Sequence, residues 1–320
     1  MENKSTVYVL VLAGLSDLPS LQFPLFLVFL LIYLITLTGN LLILLLIFTD
    51  SHLHTPMYFF LGTLACLDMS LSSVTVPRML FDLLTKRRVI SVPACITQIY
   101  FFLFFCTSEM AVLAVMSYDR YIAICRPLHY MQIMTWNVCV QFVSIILVFG
   151  AVHSLVHAVF LTKLTFCNPN DLQSFFCDLP QLLEASCSDT FLNILLIFLL
   201  GIFTVLKIPS KHTRSKAFST CSSHLTVVFL FYTTTFFNYL HSKTNDHHTE
   251  DKVASVFYAI LTPFLNPLIY SLRNQELKAS VKRTLQRLQI KIGQKNYVRK
   301  VSHRAQWHSA APTRPKESLP

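Results

Sequence analysis

The chain has 320 residues, of which 53% are hydrophobic and 13% are charged, with 26 Lys and Arg against 16 Asp and Glu for a formal charge of +10. An ordinary soluble domain carries about 25% charged residues, so the soluble enzyme, collagen-like and disordered classes are excluded. The apolar residues are concentrated in long runs without charge, which indicates membrane spans.

Seven apolar runs are long enough, or nearly long enough, to cross a membrane, for which a helix needs about 20 mostly apolar residues. They cover residues 23–49, 56–80, 94–119, 136–161, 191–206, 217–240 and 253–272. A β-barrel is disfavoured because its strands would be short and alternating. The sequence therefore predicts an all-α fold, a seven-transmembrane helix bundle over residues 23–272, with 1–22 as the N-terminus and 273–320 as a surface helix and basic tail.

Orientation follows from the Lys and Arg of the short loops, which favour the cytoplasmic side. These residues cluster between positions 207 and 216 and again in the tail after residue 272. The N-terminus is then extracellular and the C-terminus cytoplasmic, in agreement with a glycosylation triplet at Asn3. The cluster at 86–88 opposes this rule. We expect a multi-pass protein of the plasma membrane.

A short amphipathic helix is predicted after the seventh run. Leu277, Val281, Leu285 and Leu288 recur at helical spacing, with Lys and Arg between them. Such a helix lies on an anionic lipid surface, which explains the positive charge without nucleic acid as a partner.

Four cysteines fall on the predicted outer side: Cys95, Cys167, Cys177 and Cys187. Because that compartment is oxidising and the number is even, we expect two disulfides. The spacing leaves all three pairings open.

Polar residues at membrane depth are costly and mark candidate functional sites. Asn40, Asp68 and Glu109 are predicted to form an intramembrane polar network facing the bundle interior. The alternative is a purely structural network that fixes helix packing.

Five motifs resemble those of the vertebrate olfactory receptors, within the rhodopsin-like G-protein-coupled class. They are residues 53–61 (LHTPMYFFL), 116–125 (MSYDRYIAIC), 126–130 (RPLHY), 216–225 (KAFSTCSSHL) and 263–274 (PFLNPLIYSLRN). Their collinear order makes a chance match implausible.

The resemblance implies a signalling function and assigns roles to individual residues. The chain is expected to bind small odorant molecules and to activate a heterotrimeric stimulatory G protein. The activation set comprises Asp119, Arg120, Tyr121, Asn266, Pro267 and Tyr270. The resemblance also implies that Cys95 pairs with Cys177 and Cys167 with Cys187.

The predicted odorant cavity is mostly apolar with a few hydroxyl groups. Phe102, Leu103, Cys106 and Thr107 are expected on one face of the third helix. The resemblance adds Tyr232, Thr235 and Tyr239 from the sixth run and Tyr258 or Ala259 from the seventh. Each of these residues could instead serve only to pack helix against helix.

Other activities find little support. With only 6 glycines and no phosphate-binding loop, no nucleotide cofactor is expected, and no metal site or enzyme is predicted. A transporter is disfavoured because no internal repeat is present.

The fifth run departs from the family pattern. Residues 191–206 would span only about 24 Å as a helix, against a hydrocarbon core of roughly 30 Å. The alternative to a signalling receptor is therefore a truncated, non-signalling variant of this fold.

Overall fold

The computed structural model describes residues 9–15, 18–85, 87–166, 171–172, 174–188, 256–286 and 289–290. Within these residues, four helices are long and apolar enough to cross a membrane. They are α1 (Pro19–Thr49), α2 (Pro56–Thr85), α3 (Val92–Cys125) and α5 (Trp136–Leu161). The shorter helices are α4 (Tyr130–Ile133), α6 (Leu179–Glu184) and α7 (Thr262–Arg273), the last preceded by a π-helical turn, Phe257–Leu261.

The helices begin where the sequence supplies capping residues. The Ser91 hydroxyl accepts a hydrogen bond from the backbone N–H of Ala94 at the start of α3, and Thr135 does the same for Val138 in α5. Side-chain oxygens at these positions satisfy N–H groups that have no partner within the helix. The first turns of α3 and α5 are therefore fixed by local sequence, whereas α1 begins at Pro19 without a side-chain cap.

The long helices pack in sequence order, α1 on α2, α2 on α3, and α3 on α5. At the last interface Gly150 permits a close approach, since a Cβ at that position would lie 2.7 Å from the Ser108 hydroxyl and 3.3 Å from the Phe104 carbonyl oxygen. Large apolar side chains cover the outward faces of α1 and α5, as a hydrocarbon surrounding requires.

The predicted spans are confirmed for these four helices, with longer bounds for α1, α2 and α3. Polar residues beyond the predicted ends, such as Asp82 in α2 or Arg120 in α3, continue the helices past the apolar runs. The fifth and sixth predicted runs, 191–206 and 217–240, lie outside the described residues.

A small three-stranded sheet adds to the predicted helices. It contains β1 (Val9–Leu12), β2 (Val89–Ser91) and β3 (Asp171–Leu172), in the order β2-β1-β3. β1 is antiparallel to β2, with Leu10 opposite Ile90, and parallel to β3, with Leu12 opposite Leu172. The segment before the first helix thus joins two loops that are distant in sequence.

The disulfide between Cys95 and Cys177 ties the loop after α5 to the start of α3, which confirms that pairing. Both cysteines are fully buried in an apolar cluster with Leu10, Leu12 and Ile99. Cys187 is also disulfide-bonded, whereas its expected partner Cys167 lies outside the described residues. We refer to the part of the bundle around Cys95 as the disulfide end.

The chain divides into two compact units, Met1–Ser271 and Leu272–Pro320. In the second unit, residues 275–286 are helical. The Asn274 side chain caps this helix by accepting hydrogen bonds from the backbone N–H groups of Glu276 and Leu277, at 3.0 and 3.2 Å. Leu277 is buried and Leu285 is exposed, while Leu288 lies outside the described residues.

Loss of this disulfide should destabilise the fold strongly. The variants Cys95→Ser and Cys177→Ser release a crosslink across 82 residues. By restricting the unfolded chain, a crosslink of this length raises the free energy of unfolding by about 4 kcal/mol. We expect a clearly lower midpoint of thermal unfolding in detergent. Cys66→Ser, which changes an exposed free thiol on α2, is the matched control. Equal midpoints for all three variants would contradict this role.

Candidate functional site

A polar centre lies inside the bundle where α2, α3 and α7 meet. The Asn266 amide of α7 donates one hydrogen bond to Asp68 Oδ1 of α2 and another to Glu109 Oε1 of α3, both at 2.8 Å. All three side chains are at most 1% exposed. A single amide therefore holds two buried carboxyl groups and fastens three helices at one point.

The carboxyl groups are not fully satisfied by this amide. Among the described residues, Glu109 Oε2 has no hydrogen-bond partner. Buried polar groups without a partner are costly. Because Asn266 supplies the described hydrogen bonds to both carboxyl groups, the stability of this centre depends on the position of α7. The sequence predicted Asp68 and Glu109 in this network but placed Asn266 only in the activation set.

Asn40 makes a local hydrogen bond within α1. Its amide donates to the Thr36 carbonyl oxygen, one turn earlier in α1, at 3.0 Å. Asn40 is buried, but a local bond of this kind satisfies the side chain within its own helix. No bond from Asn40 to Asp68, Glu109 or Asn266 is found among the described residues, and its membership in the network stays a prediction.

A second polar group lies at the end of α3 opposite the disulfide. Arg120 Nε donates to Asp119 Oδ2 at 3.0 Å, and the Tyr130 hydroxyl of α4 donates to Asp119 Oδ1 at 2.7 Å. Asp119 is fully buried. Tyr121 of the same motif is 36% exposed. Sequence reasoning missed Tyr130, although it ends the motif at 126–130.

Tyr130 is a hydrogen-bond donor over the whole physiological pH range. Burial raises the pKa of its phenol well above the ordinary value, and the hydrogen bond to Asp119 raises it further. An ionised phenolate beside a carboxylate would be repelled. The bond from Tyr130 to Asp119 therefore does not depend on pH near neutrality.

The predicted odorant residues separate into two groups. Phe102 and Cys106 of α3 and Ala259 of the π-helical turn belong to one buried apolar cluster. Phe175 and Phe176, from the loop held by the disulfide, belong to the same cluster, and the rings of Phe102 and Phe176 lie 5.3 Å apart. Phe102, Cys106 and Ala259 form the helical side of this cluster, and Phe175 and Phe176 of the loop cover it at the disulfide end.

Leu103 and Thr107 do not share this environment. Leu103 packs against the other apolar cluster, around Cys95 and Leu161. The Thr107 hydroxyl contacts His153 Nδ1 of α5 at 3.3 Å. Because successive residues of a helix are rotated by about 100°, the predicted single face is in fact two stripes, one towards α2 and α7 and one towards α5.

Several predicted site residues are not described. Tyr232, Thr235, Tyr239, Asn3 and Cys167 lie outside the described residues, as do the side chains of Tyr258 and Tyr270. Pro267 is a buried residue within α7, next to Asn266.

Gln98 is a positioning residue that the sequence did not single out. Its amide nitrogen donates to the Val74 carbonyl of α2 at 3.0 Å, and its amide oxygen accepts from the Cys177 backbone N–H at 3.1 Å. One side chain thus joins α2, α3 and the crosslinked loop. An isolated Gln in the apolar run at 94–119 was the available signal.

The described residues contain no group of three or more His, Cys, Asp and Glu side chains that could hold a metal ion. His153 and His157 are spaced one helical turn apart on α5, with ring centroids 4.7 Å apart. Within the described part of the chain, no third His, Cys, Asp or Glu side chain accompanies them.

Comparison with known proteins places this geometry in a family. The chain matches the family described as olfactory receptor over residues 29–203 and 190–288. It is 45% identical to human olfactory receptor 5B12 over 311 residues, covering 92% of this chain and 99% of that protein. It is 46% identical to human olfactory receptor 5AC1 over 304 residues, and 44% identical to mouse olfactory receptor 5H19 over 306 residues, covering 89% and 90% of this chain and 99% of each relative.

The fold and these matches define a multi-pass helical membrane protein, a seven-helix bundle of the G-protein-coupled receptor class, and not an enzyme. The chain belongs to the olfactory receptor family.

Removal of the Asn266 amide should lower the stability of the fold, because two buried carboxyl groups lose their hydrogen-bond donor. Asn266→Ala leaves Asp68 and Glu109 without their shared donor, a loss of about 3 kcal/mol, and should lower the midpoint of thermal unfolding. Glu109→Gln in the Asn266→Ala background should recover part of the loss, because the new amide can donate to Asp68. Asn40→Ala, which breaks only a local bond, is the control. Strictly additive effects would contradict the shared-donor arrangement.

Proposed function

We propose that this chain binds small, largely apolar odorants at the disulfide end of the bundle and activates a stimulatory G protein at the opposite end. The observation that carries the proposal is the arrangement of α3. This one helix bears Phe102 and Cys106 in the apolar cluster, Glu109 in the polar centre, and Asp119 and Arg120 at its far end. The odorant, the polar centre and the G protein thus share one rigid element.

The apolar cluster sets the ligand class. Phe102, Phe176 and Ala259 offer surface without hydrogen-bonding groups. Ligand pockets of this composition bind through shape and burial, with a few polar groups for orientation. Thr107 is engaged by His153, so an odorant that uses Thr107 has to compete with α5.

A change at the ligand site reaches α7 directly. Ala259 contributes to the apolar cluster, and the Thr75 hydroxyl of α2 contacts its carbonyl oxygen at 3.5 Å. Asn266 follows seven residues later and is next to Pro267, which removes one backbone hydrogen bond and makes bending easier. A ligand that shifts α7 therefore changes the distances from Asn266 to Asp68 and Glu109.

The Asp119 group supplies the switch at the other end. In the described arrangement Arg120 and Tyr130 both donate to Asp119, which keeps the arginine occupied. Release of Arg120 would offer a cation to an incoming G protein, and a ligand shifts this equilibrium only through its different affinity for the two states. Membrane lipids complete the set of partners, through the basic segment after residue 272.

The proposed topology has residues 1–22 outside, 23–272 in the membrane and 273–320 in the cytoplasm, with the receptor at the plasma membrane. The disulfide end then faces the oxidising side. Accessibility tags between residues 211 and 216 and at the C-terminus, together with an N-terminal tag, test this in intact cells. Protection of the first two tags and exposure of the third are expected. Inverted exposure of the 211–216 tag would contradict seven spans.

The alternative of a truncated, non-signalling variant is not supported by the comparisons, since relatives are matched over 99% of their length. The short fifth run at 191–206 lies outside the described residues. Odorant-driven cyclic AMP in cells that express the olfactory stimulatory G protein is the direct test, with an Arg120→Ala receptor as the inactive reference. A receptor that reaches the surface but gives no signal with any of a broad panel of odorants would contradict the proposal.

Substitution of two neighbouring phenylalanines should show whether the odorant binds in the apolar cluster or elsewhere on α3. Phe102→Ala removes a ring from the cluster, and Phe101→Ala removes a ring that is 43% exposed. Burial of a phenyl ring contributes about 2 kcal/mol, so Phe102→Ala should raise the half-maximal odorant concentration in the cyclic AMP assay at least tenfold. Phe101→Ala should change it less than twofold. Equal shifts would place the odorant elsewhere.

Loss of the Tyr130 hydroxyl should increase signalling without odorant. Tyr130→Phe removes one of two donors to Asp119, a loss of about 1 kcal/mol for the closed state, and a roughly fivefold gain in the active fraction follows. Basal cyclic AMP at matched surface expression measures this. Tyr118→Phe, on the exposed side of α3, is the control, and an unchanged or lower basal level with Tyr130→Phe would count against the switch.

A further inference from the structure

The N-terminal strand β1 lies between the start of α3 and the loop that covers the apolar cluster. On one side β1 pairs with β2, which runs directly into α3. On the other side it pairs with β3, which precedes Phe175 and Phe176 in the covering loop. Leu10 and Leu12 of β1 are at most 1% exposed and pack in the other cluster, around Cys95. The strand therefore joins the cover to a fixed part of the bundle.

The two edges of β1 are not held equally. The antiparallel edge with β2 has three registered pairs, and the Leu12 N–H donates to the Arg88 carbonyl oxygen at 2.7 Å. The parallel edge with β3 has two pairs, continued by a hydrogen bond from the Ala13 N–H to the Leu172 carbonyl oxygen, also at 2.7 Å. Parallel pairs are slightly less stable per residue than antiparallel ones, so the edge between β1 and β3 should separate first.

The covering loop is fixed more firmly at its other end. Cys177 is crosslinked to Cys95, and its backbone N–H donates to the Gln98 side-chain oxygen at 3.1 Å. Phe175 and Phe176 come directly before this point. Separation of β3 from β1 would let these two residues turn about Cys177 and uncover the apolar cluster.

We propose that β1 is a strap that holds the cover closed, and that a small apolar ligand enters the apolar cluster when β3 separates from β1 while β1 stays on β2. A segment held by few hydrogen bonds opens far more often than the whole fold unfolds, which provides an entrance at the disulfide end. The use of this entrance by odorants rests on the proposed function, whereas the opening itself does not.

Native cysteines report on this opening. Cys106 is 6% exposed and lies in the apolar cluster, so its alkylation by N-ethylmaleimide follows the fraction of open molecules when closing is fast. The rate is measured by mass spectrometry on the full-length receptor in open membrane fragments, without odorant or G protein. Cys139 of α5, which is fully buried, reports general unfolding, and the exposed Cys66 reports the local reagent concentration.

A matched pair of variants at Ala13 tests the weaker edge. Ala13→Pro removes the N–H that bonds to Leu172, while it favours the extended conformation of the residue before it and so preserves β1. Ala13→Ser keeps the N–H. We expect Ala13→Pro to accelerate alkylation of Cys106, relative to Cys66, about fivefold, with no change at Cys139 and none with Ala13→Ser. An unchanged rate at Cys106, or an equal increase at Cys139, would overturn the strap.

A crosslink across the stronger edge tests whether β1 stays in place. Val11 and Val89 are opposite each other, next to the hydrogen-bonded Leu12 and Arg88, and therefore form a non-hydrogen-bonded pair, in which side chains approach most closely. Val11→Cys combined with Val89→Cys should form a disulfide that fixes β1 to β2. We expect Cys106 to be alkylated at the parent rate in this receptor, and the gain from Ala13→Pro to persist. Slower alkylation in the crosslinked receptor would show that β1 leaves with the cover and would overturn the proposal.

The readout also separates the strap from the proposed function. Faster alkylation of Cys106 in Ala13→Pro supports the strap even where no odorant raises cyclic AMP, since neither ligand nor G protein takes part in the measurement. An odorant response in the parent receptor together with an unchanged Cys106 rate in Ala13→Pro would support the odorant site and overturn the strap.

Discussion

The bundle depends on the rule that a polar group in hydrocarbon must find its partner within the protein. Asp68 and Glu109 obey it through one amide, that of Asn266, with both bonds at 2.8 Å. Since the three residues come from α2, α3 and α7, the positions of these helices are coupled at that point. Asn40 shows the contrasting solution, a bond to its own helix that couples nothing.

The same rule holds for the irregular backbone at the disulfide end. The Gln98 amide accepts a hydrogen bond from the N–H of Cys177 and donates one to the carbonyl oxygen of Val74. The backbone of β1 pairs with β2 and with β3. The loop can therefore bury Phe175 and Phe176 over the helices without unpaired backbone groups at these positions. A cover of this kind defines the upper boundary of the apolar cluster.

Hydropathy predicts the spans well because burial in lipid acts on every residue of a run at once. It places α5 at its observed bounds and, among the four long described helices, misses the extensions of α1, α2 and α3. The sheet was not predictable in this way, since its strands have four, three and two residues and pair across distant segments. The helix that each α3 side chain faces could not be predicted from spacing either, because the partner of Thr107 is His153, 46 residues further along the chain.

The basic cluster at 86–88, which opposes the charge rule, has a structural use. Arg78 donates to the carbonyl oxygens of Arg87 and Val89, at 3.4 and 2.7 Å, and a Cβ at Gly14 would collide with the Arg88 guanidinium. The backbone of this cluster and the Arg88 side chain therefore take part in packing at the disulfide end.

The length of α3 explains why ligand binding and switching can be linked while each stays specific. Cys106 and Asp119 are thirteen residues apart, about 20 Å along a helix, so an odorant in the apolar cluster would not contact Asp119 or Arg120. Coupling across that distance requires an element with two arrangements that both sites bias. In the proposed mechanism Asn266 beside Pro267 is this element, because bending at Pro267 would move the only described donor shared by Asp68 and Glu109. In the proposed mechanism the polar centre stabilises one arrangement of α7 through these bonds, and departure from that arrangement depends on what occupies the apolar cluster.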